Sequence, residues 1–164
     1  MYKEHLQQAI NREILLAKQL IPFMDESKLD FRLGEKTRST LEVMQYLSTI
    51  GEAMMQYYAG GMTKDDWKAI GDKGAQVTLQ SFGERMDAQQ EIVRQYFEKI
   101  SDDDLLNKEV TLFWKEKMPL GLALMQGPVK WLTSYRMELF KLVKLSGAPH
   151  ISTGEAWTPK PVAQ

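Results

Sequence analysis

The sequence contains no cysteine, which excludes disulfides, thiolate nucleophiles and cysteine-bound metal. Histidine is nearly as scarce: two histidines in 164 residues cannot supply a three-histidine metal site. An excess of charge is also lacking, because 21 basic residues are balanced by 22 acidic residues. With no cluster of Lys and Arg to attract phosphates, we expect no nucleic-acid partner.

Long apolar runs are absent as well. No stretch approaches the ~20 apolar residues of a membrane span. The amino-terminal segment MYKEHLQQAINREILL has charges scattered among its apolar residues, so it lacks the core of a signal peptide. We therefore predict a cytoplasmic protein with no membrane partner. The length of 164 residues and the hydrophobic fraction of 43% predict one globular domain covering residues 1–164.

The dominant pattern in the sequence is a set of apolar residues at helical spacing. The Ser39-Thr-Leu-Glu42 segment is a capping box that begins a helix, and the glycines at 60 and 61 end it. Gly127-Pro128 predicts a kink inside the last helix. The long helices are predicted over four ranges: 3–21, 39–60, 80–100 and 119–146. Four amphipathic helices with almost no strand predict an all-α four-helix bundle.

The connections between these helices are long. We expect irregular chain over 22–38 and a connection over 60–79 in which TKDDW begins a short helical turn. SDDD (101–104) begins another short helical piece, and EVTLFW (109–114) predicts a brief extended segment. The tail, 148–164, is expected to be extended and to pack on the bundle through Ile151 and Trp157. The 60–79 connection is long enough to cross a bundle of ~30 Å, which leaves the order of the helices open.

Three segments resemble the DinB/YfiT-like superfamily of bacterial four-helix bundles. RSTLEVMQYLSTIGEAMM (38–55) resembles the second helix of that family, and WLTSYRMELFKLVKLSGAP (131–149) resembles its fourth helix. YFEKISDDDL (96–105) resembles the end of its third helix. The resemblance spans about residues 39–149 and implies an up-down-down-up bundle that forms a homodimer. For members that keep three metal-binding histidines it also implies metal-dependent thiol transfer.

The histidine positions of that family fall on Tyr46, Trp131 and Tyr135 of this chain. An indole nitrogen only donates, and a phenol is a poor metal ligand unless ionised. The resemblance therefore implies a lost metal site, no cofactor and no assigned catalytic residue. The three rings either fill the core or line a cleft for a small organic ligand, with Gln45 and Arg136 as the expected polar neighbours. We predict a ligand-binding or regulatory protein.

Two alternatives stay open from the sequence. One is a thiol-transferase-like enzyme that uses an unrecognised site in the same cleft. The acidic residues do not provide a di-iron site, because the chain has no Glu-x-x-His pair. The other alternative is a dimeric structural or assembly protein that associates through exposed apolar side chains such as Trp67, Phe113 and Trp114.

Overall fold

A computed structural model describes residues 2–160 of the chain, and it is predominantly helical. The helices are α1 (Tyr2–Lys18), α2 (Thr40–Met55), α3 (Lys64–Ala75), α4 (Leu79–Lys99), α5 (Asp102–Asn107), α6 (Leu120–Leu124), α7 (Lys130–Ser146) and α8 (Thr153–Trp157). Two short strands, β1 (Glu109–Thr111) and β2 (Lys117–Pro119), form an antiparallel hairpin in which Val110 faces Met118. The prediction of an all-α protein is confirmed. Within residues 2–160 no helix is long and apolar enough to span a membrane.

The four longest helices share one core. α1 lies against α4 and α7, and α2 lies against α3, α4 and α7. Their inward side chains are fully buried, among them Ile10, Ile14, Leu47, Phe82 and Leu139. Each such burial stabilises the fold by ~1.5–3 kcal/mol. This packing places one face of α2 directly beside α7, where the candidate site lies.

The limits of α2 follow the predicted signals. The Ser39 hydroxyl accepts from the Glu42 amide at 3.2 Å, and the Glu42 carboxylate accepts from the Ser39 amide at 2.7 Å. The predicted capping box is therefore confirmed. The helix continues into a π turn, Gln56–Gly60, and stops where Gly61 adopts a φ of 75°. A residue with a Cβ rarely adopts that conformation, so the predicted glycine stop is also confirmed.

The last long helix is interrupted at Gly127-Pro128, as predicted. A π turn, Met125–Val129, separates α6 from α7 and contains Pro128. Proline cannot donate a backbone hydrogen bond, so the regular helical pattern changes at this point. Gly127 also permits a close approach, because a Cβ at this position would lie 2.5 Å from Cε2 of Tyr58. The interruption therefore fixes the position of an aromatic side chain.

The helix start predicted at TKDDW within the 60–79 connection is confirmed, but its extent was underestimated, because α3 continues to Ala75 and occupies most of the connection. Thr63 and Asp66 form a capping box that begins α3, and Ile70 is the buried apolar residue of the helix. Glycine lowers helix propensity, so the sequence pattern was weak. Gly74 nevertheless favours packing, since a Cβ there would lie 3.1 Å from the Gln45 carbonyl oxygen. Close contact with α2 therefore supports a helix that propensity alone does not.

Two further segments differ from expectation. The predicted extended segment at 109–114 is a strand only over β1, and its partner β2 was not predicted. The tail was predicted to be extended, but α8 forms there, begun by a capping box between Ser152 and Glu155. Ile151 is a buried anchor as expected, whereas Trp157 is 50% exposed. Residues 161–164 of the tail prediction lie outside the described residues.

Candidate functional site

The rings of Tyr46, Trp131 and Tyr135 lie together between α2 and α7, and we call these three residues the ring cluster. Trp131 and Tyr135 are four positions apart on α7 and so share one face of the helix. The centroid of Tyr46 lies 4.5 Å from that of Tyr135 and 6.5 Å from that of Trp131. These are ordinary distances for interacting aromatic pairs. The three predicted positions thus form one partly buried surface.

The polar group on the ring cluster is Arg38, which the sequence did not identify. Its guanidinium carbon lies 4.6 Å from the Tyr46 centroid and 5.3 Å from the Tyr135 centroid. Its Nη1 donates to the Tyr135 hydroxyl at 3.0 Å. Glu42, one helical turn further along, pairs with Arg32 at 2.7 Å. Arg38 therefore places an exposed positive charge on the cluster, stabilised there by a cation–π contact of about 0.5–1 kcal/mol.

Gln45, one of the expected polar neighbours, joins α2 to the end of α3. Its Nε2 donates to the carbonyl oxygens of Ala75 and Val77, each at 3.1 Å. The amide therefore serves the helix packing and is not directed at the rings. It lies at the edge of the site, where it lines a shallow depression together with Arg38 and Tyr46.

Arg136, the other expected polar neighbour, lies on a different side of α7. It is fully buried, and its Nε donates to Oε2 of Glu13 on α1 at 2.6 Å. Its Nη1 donates to the carbonyl oxygen of Ala156 in α8 at 2.5 Å. Neighbouring residues on a helix point in different directions, so the residue after Tyr135 cannot face the same surface. Arg136 holds the tail and does not contribute to the ring cluster.

The protonation of Tyr46 bears on metal binding. Burial raises the pKa of its phenol well above the ordinary value, the nearby Tyr135 adds to this, and Arg38 opposes it. A phenol that stays neutral at physiological pH is a poor metal ligand and a poor general base. Within residues 2–160 no group of three or more His, Cys, Asp or Glu side chains has an arrangement suited to a metal ion.

The two histidines do not compensate for this. His5 lines a groove on α1, whereas the His150 ring packs 6.0 Å from that of Phe23 near the start of the tail. The groove beside His5 has a volume of about 740 Å³, and its walls are both polar and apolar. Lys18 and Asp87 pair with each other across α1 and α4 there. No nucleophile with an adjacent base is found in this groove, so it offers no evident chemistry.

A second group of rings surrounds Phe113, which lies in the hairpin turn. Phe113 stacks on Tyr57 with a centroid distance of 4.0 Å and an interplanar angle of 22°. Three further rings lie around it: Trp67 at 5.7 Å, Tyr58 at 6.2 Å and Trp131 at 6.4 Å. We call Tyr57, Tyr58, Trp67 and Trp131 the ring slot. Trp131 belongs to both groups, so the aromatic surface is continuous.

Shallow depressions adjoin these rings. One of about 310 Å³ lies beside Trp131 and Tyr135, and one of about 190 Å³ lies beside Arg38 and Tyr46. A third, of about 250 Å³, lies beside Phe113 in the ring slot. These volumes lie at or below the lower limit of typical small-molecule sites. The surface is therefore suited to stacking one small planar molecule, not to enclosing a large one.

Comparison with known proteins identifies no relative of this chain: no family, no curated protein and no solved structure matches it. The similarity to the DinB/YfiT-like superfamily stays a prediction from the quoted segments. The proposal of a function accordingly depends on the geometry of the ring cluster and of Arg38.

Proposed function

We propose that this protein is a metal-free four-helix bundle of the DinB/YfiT-like type, with up-down-down-up helices, that binds a small organic anion on its ring cluster. Its role would be binding or regulation, without metal-dependent catalysis. The observation that carries the proposal is the convergence of Tyr46, Trp131 and Tyr135, with the guanidinium of Arg38 lying over the two tyrosine rings. The contacts of α1, α2, α4 and α7 around one core support the bundle.

The chemistry of the cluster defines the class of ligand. Aromatic faces bind planar groups by stacking, and such contacts contribute about 0.5–1.5 kcal/mol beyond the area buried. Arg38 adds several N–H donors in a plane, a geometry that matches a carboxylate. Its charge is not neutralised by Glu42, which pairs with Arg32. A small aromatic carboxylate would satisfy both parts of the surface.

A matched pair of probes tests this function. Phenylacetate and its neutral amide, phenylacetamide, differ only in the group that Arg38 would recognise. We expect phenylacetate to shift the NMR signals of Trp131 and Tyr135, and Arg38→Gln to weaken its binding by roughly tenfold through loss of a charged hydrogen bond. Lys141→Gln removes an exposed positive charge elsewhere on α7 and serves as the control. Equal affinities of Arg38→Gln and Lys141→Gln for phenylacetate would contradict the proposal, and so would a wild type that does not bind phenylacetate.

A homodimer is a second proposal, favoured by the exposure of Trp114. This side chain is 51% exposed, and its Nε1 donates to Glu116 at 2.8 Å, which fixes the indole at the surface. Exposed apolar patches often mark protein contacts, and Phe113, next to Trp114 in the sequence, is also 38% exposed. Light scattering should give the molar mass of a dimer for the wild type and of a monomer for Trp114→Ser. A monomeric wild type would exclude this arrangement.

A further inference from the structure

Phe113 is held by a turn that is itself firmly anchored. Leu112, the preceding residue, is fully buried, and its amide donates to the Glu116 carbonyl oxygen at 2.8 Å. The Lys115 amide donates back to the Leu112 carbonyl oxygen at 2.9 Å. Phe113 is 38% exposed, so part of the residue is open to solvent. The phenyl ring can therefore leave the slot by side-chain rotation while the hairpin stays in place.

The walls of the ring slot come from elements other than the hairpin. Tyr57 and Tyr58 belong to the π turn after α2, Trp67 to α3 and Trp131 to α7. Tyr58 is 4% exposed and lies against Gly127, and its ring packs edge-on to Tyr57 at 4.9 Å. Contacts that do not involve Phe113 thus hold Tyr58, the buried wall of the slot. A slot with such a wall, occupied by a single side chain, can exchange that occupant.

We propose that the ring slot is a binding site for a planar, uncharged aromatic ring, which Phe113 occupies in the ligand-free protein and which a ligand's ring replaces. The structure itself shows the kind of group the slot accepts, since a phenyl ring makes aromatic contacts with all four walls. The depression of about 250 Å³ beside Phe113 gives an incoming ring its first contact surface. The inference goes beyond the proposed function, because the slot shares only Trp131 with the ring cluster and does not involve Arg38.

Competition by Phe113 sets the expected affinities. While the slot is occupied by its own side chain, the apparent affinity for a ligand is lowered by the fraction of molecules in which the slot is free. Phe113→Ala removes the competitor and keeps the walls. We expect this variant to bind 5-fluoroindole about tenfold more tightly than the wild type. Binding is measured through the fluorine NMR signal of the probe.

Two controls make this experiment specific. Leu145→Ala removes a large exposed side chain on α7 that belongs to neither aromatic group, and it should leave the affinity for 5-fluoroindole unchanged. Trp67→Ala, added to Phe113→Ala, removes one wall and should cancel the gain. Phe113→Leu keeps apolar volume without a flat face and provides a second variant if Phe113→Ala does not fold. If Phe113→Ala and Phe113→Leu bind 5-fluoroindole with the same affinity as Leu145→Ala, the proposal is overturned.

The wild-type protein provides the direct test of displacement. With labelled phenylalanine, saturation by 5-fluoroindole should shift the Phe113 ring signals, which the Phe113→Leu spectrum assigns. Unchanged Phe113 signals at saturation would reject replacement. If the Phe113 signals stay unchanged but phenylacetate still binds in an Arg38-dependent way, the slot is rejected and the ring cluster is retained. If phenylacetate does not bind and Phe113→Ala still gains affinity for 5-fluoroindole, the ring cluster is rejected and the slot is retained.

Discussion

At the scale of single residues, Tyr58 links stability to pH. Burial, followed by the nearby Tyr57, raises the pKa of its phenol from 10.0 to about 12. Between those values the folded protein keeps a proton that the unfolded chain releases. The raised pKa of Tyr58 therefore adds to the free energy of unfolding, and this contribution is present in full below pH 10. It is lost as the pH rises toward 12. The loss is on the order of 2–3 kcal/mol.

Urea unfolding at pH 8, 10 and 11 measures this dependence. Tyr58→Phe has no phenol to titrate, so its stability should fall less steeply above pH 10 than that of the wild type. The comparison removes the contribution of other titrating groups, including Tyr46, whose pKa is raised in the same direction. Parallel pH profiles for the two proteins would show that Tyr58 ionises normally in the folded state.

Arg136 gives a second prediction at this scale. It is fully buried, it pairs with Glu13, and its Nη2 has no hydrogen-bond partner within residues 2–160. Arg136→Met should destabilise the protein by about 3–5 kcal/mol, because it leaves a carboxylate without its cation. The double variant Glu13→Gln with Arg136→Met should recover part of that loss. Denaturant midpoints check both values, and equal loss in the single and double variants would exclude a charge effect.

Single residues also show where sequence reasoning stops. The four-residue spacing of Trp131 and Tyr135 determines that they share a face, and this can be predicted from periodicity. The contact with Tyr46 followed from the resemblance to a known family. The position of Arg38 depends on how the chain enters α2, and the partner of Arg136 lies 123 residues away on α1. Neither feature leaves a local pattern.

At the scale of elements, one amide joins α4 to α2. Gln89 is fully buried; its Oε1 accepts from the Gly51 amide at 2.7 Å, and its Nε2 donates to the Leu47 carbonyl oxygen at 3.2 Å. Gly51 permits this approach, because a Cβ there would lie 2.8 Å from Oε1. The pair of a small residue and a satisfied buried amide therefore sets the spacing of the two helices.

Gln89→Ala should lower the free energy of unfolding by about 2–3 kcal/mol, since it removes buried hydrogen bonds and leaves a cavity. Gly51→Ala should also destabilise the protein, because Gln89 must shift. If the two residues act through one contact, the double variant will lose less free energy of unfolding than the two single variants lose together. Chemical denaturation of the three proteins tests this, and simple additivity would show that the contacts are independent.

The elements that the sequence did not predict are those held by tertiary contact. The long amphipathic helices have a strong periodicity, and α2 also has a capping box, so their approximate positions followed from local pattern. α3 has one buried apolar residue, Ile70, and depends on the contact of Gly74 with α2. β1 lies within the extended segment predicted from the alternation at 109–114, whereas its partner β2 has only three residues, too few for an alternation to be recognised. The ring slot requires both elements, so it was not foreseen.

At the scale of the whole molecule, the rings of the ring cluster lie at the positions that the resemblance assigns to metal-binding histidines. A metal that binds only the folded state raises stability in proportion to the logarithm of its concentration over Kd. With neutral rings at these positions, we expect no stoichiometric metal in protein purified without a nickel column. We also expect no change in the unfolding temperature with a chelator or with equimolar Zn²⁺. Bound zinc at one equivalent would instead favour the thiol-transferase alternative.

The triple variant Tyr46→His, Trp131→His and Tyr135→His supplies the matched contrast. If the bundle has the proposed DinB/YfiT-like geometry, three imidazoles from α2 and α7 will converge where the rings now lie 4.5 and 6.5 Å apart. Imidazole is a good zinc ligand, so this variant should lose stability without metal and regain several degrees of unfolding temperature with Zn²⁺. A control that places three histidines at the exposed positions Lys68, Lys99 and Lys141, on three different helices, should not respond. A triple variant that folds and ignores Zn²⁺ would separate this fold from the family it resembles, because its helices would then not hold the ligand geometry.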